Sequence, residues 1–188
     1  MDLLGFFGRT RAFETKLAQS RPRLYRLARA WCGNRAVADD LVQETLSKAL
    51  TRAGQLRDAE AFHGWLLAIM ANCCKDHYRR GRDAEDIDEL ADHLAADDGT
   101  PEDDYEQNQI VRCVRQAVQQ LPVGQRQVVT LVDLEECAYA EVAAILEIPI
   151  GTVMSRLSRA RLALREMLAE FQGSATANGS QGRLARVK

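Results

Sequence analysis

Apolar residues in this chain recur at helical spacing, and no stretch of useful length alternates apolar with polar. Leu24, Leu27, Ala28 and Trp31 follow an i, i+3, i+4, i+7 pattern, and Leu41, Val42, Thr45, Leu46, Ala49 and Leu50 form a second stripe. Gly33-Asn34 between them reads as a turn. A third stripe, Phe62, Trp65, Leu66, Ile69, Met70 and Cys73, ends among Arg79, Arg80, Gly81 and Arg82, where cations and a glycine suit a helix C-terminus. Further on, Ile110, Val111, Val114, Ala117, Val118 and Leu121 form a stripe that stops at Pro122, followed by helical segments over Arg126 to Leu134, Tyr139 to Leu146 and Thr152 to Phe171. The predicted fold class is all-α.

Charge divides these helices into two groups. The net charge of -2 and a pI near 6.0 give no sign of nucleic-acid binding. Yet 12 acidic residues and no Lys or Arg lie between Asp83 and Glu106, so the rest of the chain carries 25 basic against 15 acidic residues. Residues 1–82 have a net charge of +7 and residues 107–188 of +3. The acidic strip repels itself, contains Gly99 and Pro101, and has too little apolar surface to repay its ordering, so it is predicted to be a flexible linker. The tail from Gly173 to Lys188 is rich in Gly, Ser, Ala and Asn and is predicted to be disordered.

No uncharged apolar run approaches the roughly 18 residues of a membrane span, and the segment from Met1 to Arg9 has its acid first and its cation last, the reverse of a secretory signal. A cytoplasmic protein without membrane insertion is expected. Five cysteines, at 32, 73, 74, 113 and 137, contain no C-x-x-C pair and no zinc-finger spacing. Cys73, Cys74 and His77, with His63 nearby, can be imagined as a metal or redox site, against the commoner role of small apolar residues filling a helical core. No cofactor or metal is expected. No nucleophile paired with a base, Gly-rich phosphate loop or paired metal ligands mark an enzyme.

The strongest local motif is near the C-terminus. Tyr139 to Leu146 reads as a short helix, Glu147-Ile148-Pro149-Ile150-Gly151 as a tight break, and Thr152 to Arg161 as the start of a second helix. Val142, Ile145 and Leu146 can pack against Val153, Leu157, Ala160 and Leu164. That leaves Ser155, Arg156 and Arg159 outward on a helix with four arginines and no acid before Glu166. An arginine can grip guanine O6 and N7 bidentately or pair with phosphate, so this helix-turn-helix suits the DNA major groove. Its plainer alternative is a helical hairpin with a solvated basic face.

Upstream, Asp39-Asp40-Leu41-Val42-Gln43-Glu44-Thr45 sets acids and an amide beside an apolar stripe in an otherwise basic module. By themselves Asp39 and Asp40 could be helix-start acids. They are followed, however, by Phe62-His63-Gly64-Trp65-Leu66-Leu67-Ala68-Ile69-Met70-Ala71-Asn72 running into Lys75-Asp76-His77-Tyr78-Arg79-Arg80, then by the acidic linker and the helix-turn-helix. In order and spacing this set resembles the extracytoplasmic-function (ECF) sigma factors, the two-domain group of the bacterial sigma-70 family, from about Phe13 to Phe171.

The resemblance implies an N-terminal extension over 1–12, sigma region 2 over 13–82, the linker over 83–106, sigma region 4 over 107–172 and the tail over 173–188. It implies a promoter-specificity subunit, with core RNA polymerase and promoter DNA as partners and an anti-sigma factor as a regulator. Asp39, Asp40, Leu41, Val42, Gln43 and Glu44 are implied to bind the polymerase clamp. His63, Asn72, Lys75, Asp76, Arg79 and Arg80 are implied at the minus-10 element, and Thr152, Ser155, Arg156, Arg159 and Arg161 at the minus-35 element. Strand opening needs aromatic or apolar platforms and cations, and Phe62, His63, Trp65, Tyr78, Lys75, Arg79, Arg80 and Arg82 supply those types, although Trp65, Leu66 and Ile69 are expected to be core. The linker's 24 residues reach roughly 80 Å extended, enough for two independent modules to contact sites about 70 Å apart on DNA. Two departures from the family pattern stand out: Met154 where many members have Lys or Arg, and Ala138 where a serine cap is common. A helix-turn-helix regulator that does not bind polymerase remains the alternative; it does not account for the Asp39 to Thr45 and Phe62 to Arg80 segments.

Overall fold

The described residues form seven α-helices: α1 (Leu3–Cys32), α2 (Arg35–Thr51), α3 (Phe62–Ala84), α4 (Tyr105–Gln120), α5 (Val123–Asp133), α6 (Tyr139–Leu146) and α7 (Ile150–Gln181). This computed structural model describes residues 3–56, 58–84 and 105–181, with side chains over 11–56, 58–80 and 110–169. Among them the only other regular element is a 3-10 turn, Ala53–Gln55. The acidic linker lies outside the described residues from 85 to 104, and the end of the tail from 182.

The first three helices form one layer of packing, with α1 on α2 and α2 on α3. Their shared core is made by the predicted stripes: Leu24, Leu27, Ala28 and Trp31 from α1, Leu41, Val42, Thr45 and Ala49 from α2, and Phe62, Leu66, Ile69, Met70 and Cys73 from α3, all buried. Burial of one such Leu or Phe contributes about 1.5–3 kcal/mol, so this core is what holds the three helices together. Trp65 is only half-buried, tilted against Phe13 and Phe62 at 6.2 and 6.4 Å, whereas Leu66 and Ile69 are buried as expected. The turn between α1 and α2 is fixed by Gly33 at φ +73° and by the Asn34 side chain, which accepts from the Val37 N–H at 3.2 Å.

Two boundaries differ from the sequence reading. The helix that carries the Leu24 to Trp31 stripe starts at Leu3 and runs through Pro22, so most of the 1–12 stretch expected as an extension is the first part of α1. Pro22 removes one backbone donor, and the other i→i−4 bonds carry the helix past it. At the other end α7 continues to Gln181 rather than stopping near Phe171. Gly173 and Gly179 each cost only about 1 kcal/mol in a helix, and no proline follows to end it.

The last four helices bury Leu121, Val128, Val129, Leu131, Val142, Ile145, Val153, Leu157 and Ala160, which are continuous with the core of the first three. Contrary to the expectation of independent modules, the two groups dock. Helix α6 packs on α3, and α4 and α5 pack on α1.

Candidate nucleic-acid interface

The helix-turn-helix is built as its sequence directs. Ala138 offers no side-chain acceptor, but the Glu141 carboxylate accepts from the Ala138 N–H at 2.8 Å and occupies the electropositive start of α6. Glu147 ends the helix in the left-handed region at φ 55°, and Ile148 N–H returns to the Ala143 carbonyl at 3.0 Å. Pro149 then leads into α7, with its carbonyl accepting from Thr152 N–H at 2.8 Å. Val142 and Ile145 are buried against Val153, Leu157 and Ala160, with Leu146 and Leu164 packed at the margin.

At about 100° per residue, Thr152, Ser155, Arg156 and Arg159 fall within one arc of α7, while Arg161 lies roughly opposite Thr152. Ser155 and Arg159 are exposed at the centre of the free face, and the Arg159 Nε donates to the Ser155 carbonyl at 3.2 Å. Arg156 is half-buried at one rim, its guanidinium so close to Gly124 that a Cβ there would stand 2.8 Å from Nη1. At the other rim Arg161 grips Asp133 at the end of α5 with two bonds of 2.6 and 3.3 Å. Arg161, grouped by sequence with the minus-35 residues, therefore braces α7 against α5. Met154 is exposed on the same side as Arg161, away from the arc.

On the N-terminal domain, Asp40 and Gln43 are exposed and Asp39 and Glu44 half-buried. Leu41 and Val42, 2% and 1% exposed, are part of the core. Helical periodicity turns them inward, against α1 and α3.

Glu44 links α2 to α3. Its carboxylate holds Lys48 at 2.8 Å and Arg80 at 3.5 Å, while Asp76 lies 3.8 Å from Lys48 and 3.1 Å from Arg79. The Glu44 hydrogen bond raises the Lys48 pKa. Arg79 and Arg80 are about two-thirds exposed despite these pairs. Exposed pairs of this kind contribute little stability, so both guanidiniums are available to phosphate. Asn72 is half-buried, and Lys75 is exposed.

The aromatics expected as base platforms have other duties. Phe62 is buried edge-on to Phe13 at 5.9 Å, with Lys16 over its ring, and Tyr78 donates to the Trp31 carbonyl at 3.1 Å. Burial pushes the Tyr78 phenol and the Cys74 thiol each up to about 12. Cys32 is also raised, by burial first, and Cys137 is pushed up to about 11 for the same reason. Cys73 and Cys74 are fully buried, and the described residues contain no cluster of three potential metal ligands. Nor do they contain a helix long and apolar enough to cross a membrane.

His63 and Lys75 point at the C-terminal domain: His63 Nε2 is 3.2 Å from Glu135 Oε2 without a well-aligned hydrogen bond, and Lys75 Nζ is 3.6 Å from Glu147. Sequence reasoning missed the residues that make this docking. They are Trp31, Gln119, Arg126, Thr130 and Glu135. The available signal was weak: polar side chains inside otherwise apolar stripes.

Residues 17–84 match the family model for sigma-70 region 2 and residues 111–164 the model for sigma-70 region 4. The chain is 33% identical over 170 residues to the RNA polymerase sigma-H factor of Pseudomonas aeruginosa, across 86% of this chain and 88% of that one. It is 36% identical over 161 residues to the ECF RNA polymerase sigma factor SigE of Mycolicibacterium smegmatis, across 85% of this chain and 62% of that one. The chain belongs to the ECF sigma factors of the sigma-70 family. The solved sigma factor RpoE of Bartonella quintana, in complex with the anti-sigma factor NepR, superposes with a TM-score of 0.73 at 29% identity, over 84% of this chain and 97% of that one.

Proposed function

We propose that this sigma factor directs bacterial core RNA polymerase to a set of promoters and starts transcription there. Asp39, Asp40, Gln43 and Glu44 on α2 engage the polymerase, and Leu41 and Val42 hold that helix in shape. Asn72, Lys75, Asp76, Arg79 and Arg80, with His63, face the minus-10 element and stabilise its opened strand. Ser155, Arg156 and Arg159, with Thr152 at the helix start, read the minus-35 element in the major groove. It acts in the cytoplasm, where polymerase and chromosome are. An anti-sigma factor is a partner, by likeness to the Bartonella protein crystallised with one.

The observation that carries this reading is the combination of an acid-and-amide helix face, a basic α3 and a helix-turn-helix in the family's order. A plain helix-turn-helix regulator needs only the last. The test is a salt-dependent pull-down with purified core polymerase. Stoichiometric binding that is weakened by Asp40→Lys supports the sigma reading, and no binding at low salt overturns it.

A further inference from the structure

The side chains at the start of α7 differ in what they already hold. The Ser155 hydroxyl donates to the Thr152 carbonyl at 3.1 Å, the Arg159 Nε donates to the Ser155 carbonyl at 3.2 Å, and the Arg156 guanidinium lies back against Gly124. Met154, 55% exposed, has no hydrogen-bond donor to tie back. Ile150, one turn earlier and 50% exposed, stands beside it, because residues four apart share a helix face. Neither belongs to the hydrophobic core or packs at its margin among the described residues. The other exposed positions from 150 to 161 are Gly151, Ser155, Ser158, Arg159 and Arg161. Ile150 and Met154 therefore form the one apolar strip on this stretch of surface, on the Arg161 side of the recognition arc and one residue from Ser155.

Position on the helix and chemistry together say what such a strip can meet. Residues in the first turns of a recognition helix are the ones that reach base edges in the major groove, and Met154 is the fifth residue of α7. Every group that base pairs present there is a hydrogen-bond donor or acceptor except the thymine C5-methyl. A thioether set against a donor or acceptor would strip its water and return no bond. Set against a methyl group it buries apolar surface on both sides, and its unbranched, polarizable chain adapts to the position of that group. Leu162, also exposed, lies about 12 Å further along the helix axis, past the turns that reach the bases.

We infer that Met154, backed by Ile150, is a specificity-determining residue that takes the C5-methyl group of a thymine in the minus-35 element. The inference rests on the proposed minus-35 reading and adds the base that one position prefers and the group by which it is known. Selection there is apolar, while the arginines select by hydrogen bonds.

The test is competition binding of the reconstituted holoenzyme to duplex promoter DNA carrying the minus-35 element it selects. Each thymine of that element, on either strand, is replaced in turn by deoxyuridine, which loses the methyl group and keeps every hydrogen-bonding group. Replacement of one thymine is expected to weaken binding by about 4-fold, the worth of one buried methyl-sized group. In Met154→Gln the same replacement should leave binding unchanged, whereas Met154→Leu should keep most of the sensitivity and Leu162→Ala all of it. Exposed substitutions of this kind leave the fold intact. Indifference to deoxyuridine at every thymine, with base preference in the element retained, overturns the methyl contact and leaves the minus-35 reading standing. A loss that persists undiminished in Met154→Gln also overturns it. Holoenzyme that ignores the minus-35 sequence altogether, in the parent and in Arg159→Ala alike, overturns the minus-35 reading and the methyl contact with it.

Discussion

Thr130→Val removes one acceptor from the boundary between the sigma regions while keeping nearly the same side-chain shape. In the folded chain Thr130 is 1% exposed and Trp31 fully buried, and the indole N–H is bonded to the hydroxyl at 2.8 Å. The threonine hydroxyl satisfies its own proton within α5, on the Arg126 carbonyl at 2.8 Å or the Gln127 carbonyl at 3.1 Å. Valine leaves the indole donor with no partner and no route to water. An unsatisfied buried donor costs about 1–3 kcal/mol, which is the expected loss. Trp31→Phe removes the donor itself, at the further expense of a cavity. The two changes therefore should not add: in the Thr130→Val background, Trp31→Phe should cost about 1–2 kcal/mol less than in the parent, because no orphaned N–H remains. Urea unfolding followed by circular dichroism measures all four proteins. Additive effects within 0.5 kcal/mol, the range ordinary for uncoupled sites, would refute the docking of α5 on α1.

Other consequences are equally concrete. Arg159→Ala and Arg156→Ala should each weaken minus-35 discrimination by about 1–3 kcal/mol where the arginine contacts a base, whereas Arg161→Ala, which loses only an exposed pair with Asp133, should change stability by less than about 1 kcal/mol and leave promoter choice intact; holoenzyme binding to minus-35 variants separates the two. Asp40→Lys should weaken core polymerase binding without changing the unfolding midpoint, while Leu41→Ala should cost about 2–5 kcal/mol of stability because its side chain is core. Ala138→Ser should raise stability by about 0.5–1 kcal/mol, since the residue's extended backbone at φ -64° and ψ 152° suits a capping hydroxyl. Cys74 and Tyr78 hold their protons in the folded state to about 12, against ordinary values of 9.0 and 10.0. Their contribution to stability is thus full below pH about 9 and is lost as pH rises toward 12. The urea midpoint should fall between pH 8.5 and 11, and fall less in Cys74→Ala; a flat profile would contradict the burial of these groups.

The helices were legible because each buries one face, and burial writes a 3.6-residue period into the sequence. The helix-turn-helix was legible for a further reason: its break needs Pro149 and a left-handed residue at Glu147, and its core needs Val142, Ile145, Val153 and Leu157 at fixed offsets. Ends were harder to read. Helix α1 begins at Leu3 and passes through Pro22, because a single lost hydrogen bond is outweighed by the burial of Leu17 and Leu24 on either side. Side-chain direction within a motif was only half legible. Arg161 belongs to the same arginine series as Arg156 and Arg159, but one extra half-turn carries it to Asp133, and Leu41 and Val42 sit in the middle of the Asp39 to Thr45 motif while facing the core. The docking of the domains was not legible at all. It depends on a carbonyl at the end of α1 meeting Arg126 about 95 positions later, and no local spacing encodes a contact of that kind.

If one chain supplies polymerase binding, strand opening and promoter reading, then run-off transcription with reconstituted core polymerase on a library of genomic promoters must depend on it. Transcripts should depend on this factor and start a fixed distance downstream of a shared pair of minus-35 and minus-10 elements, with that selectivity reduced in Arg159→Ala and initiation itself reduced in Asp40→Lys. Transcription that is unchanged by the factor, or that is stimulated only when another sigma factor is present, would contradict it.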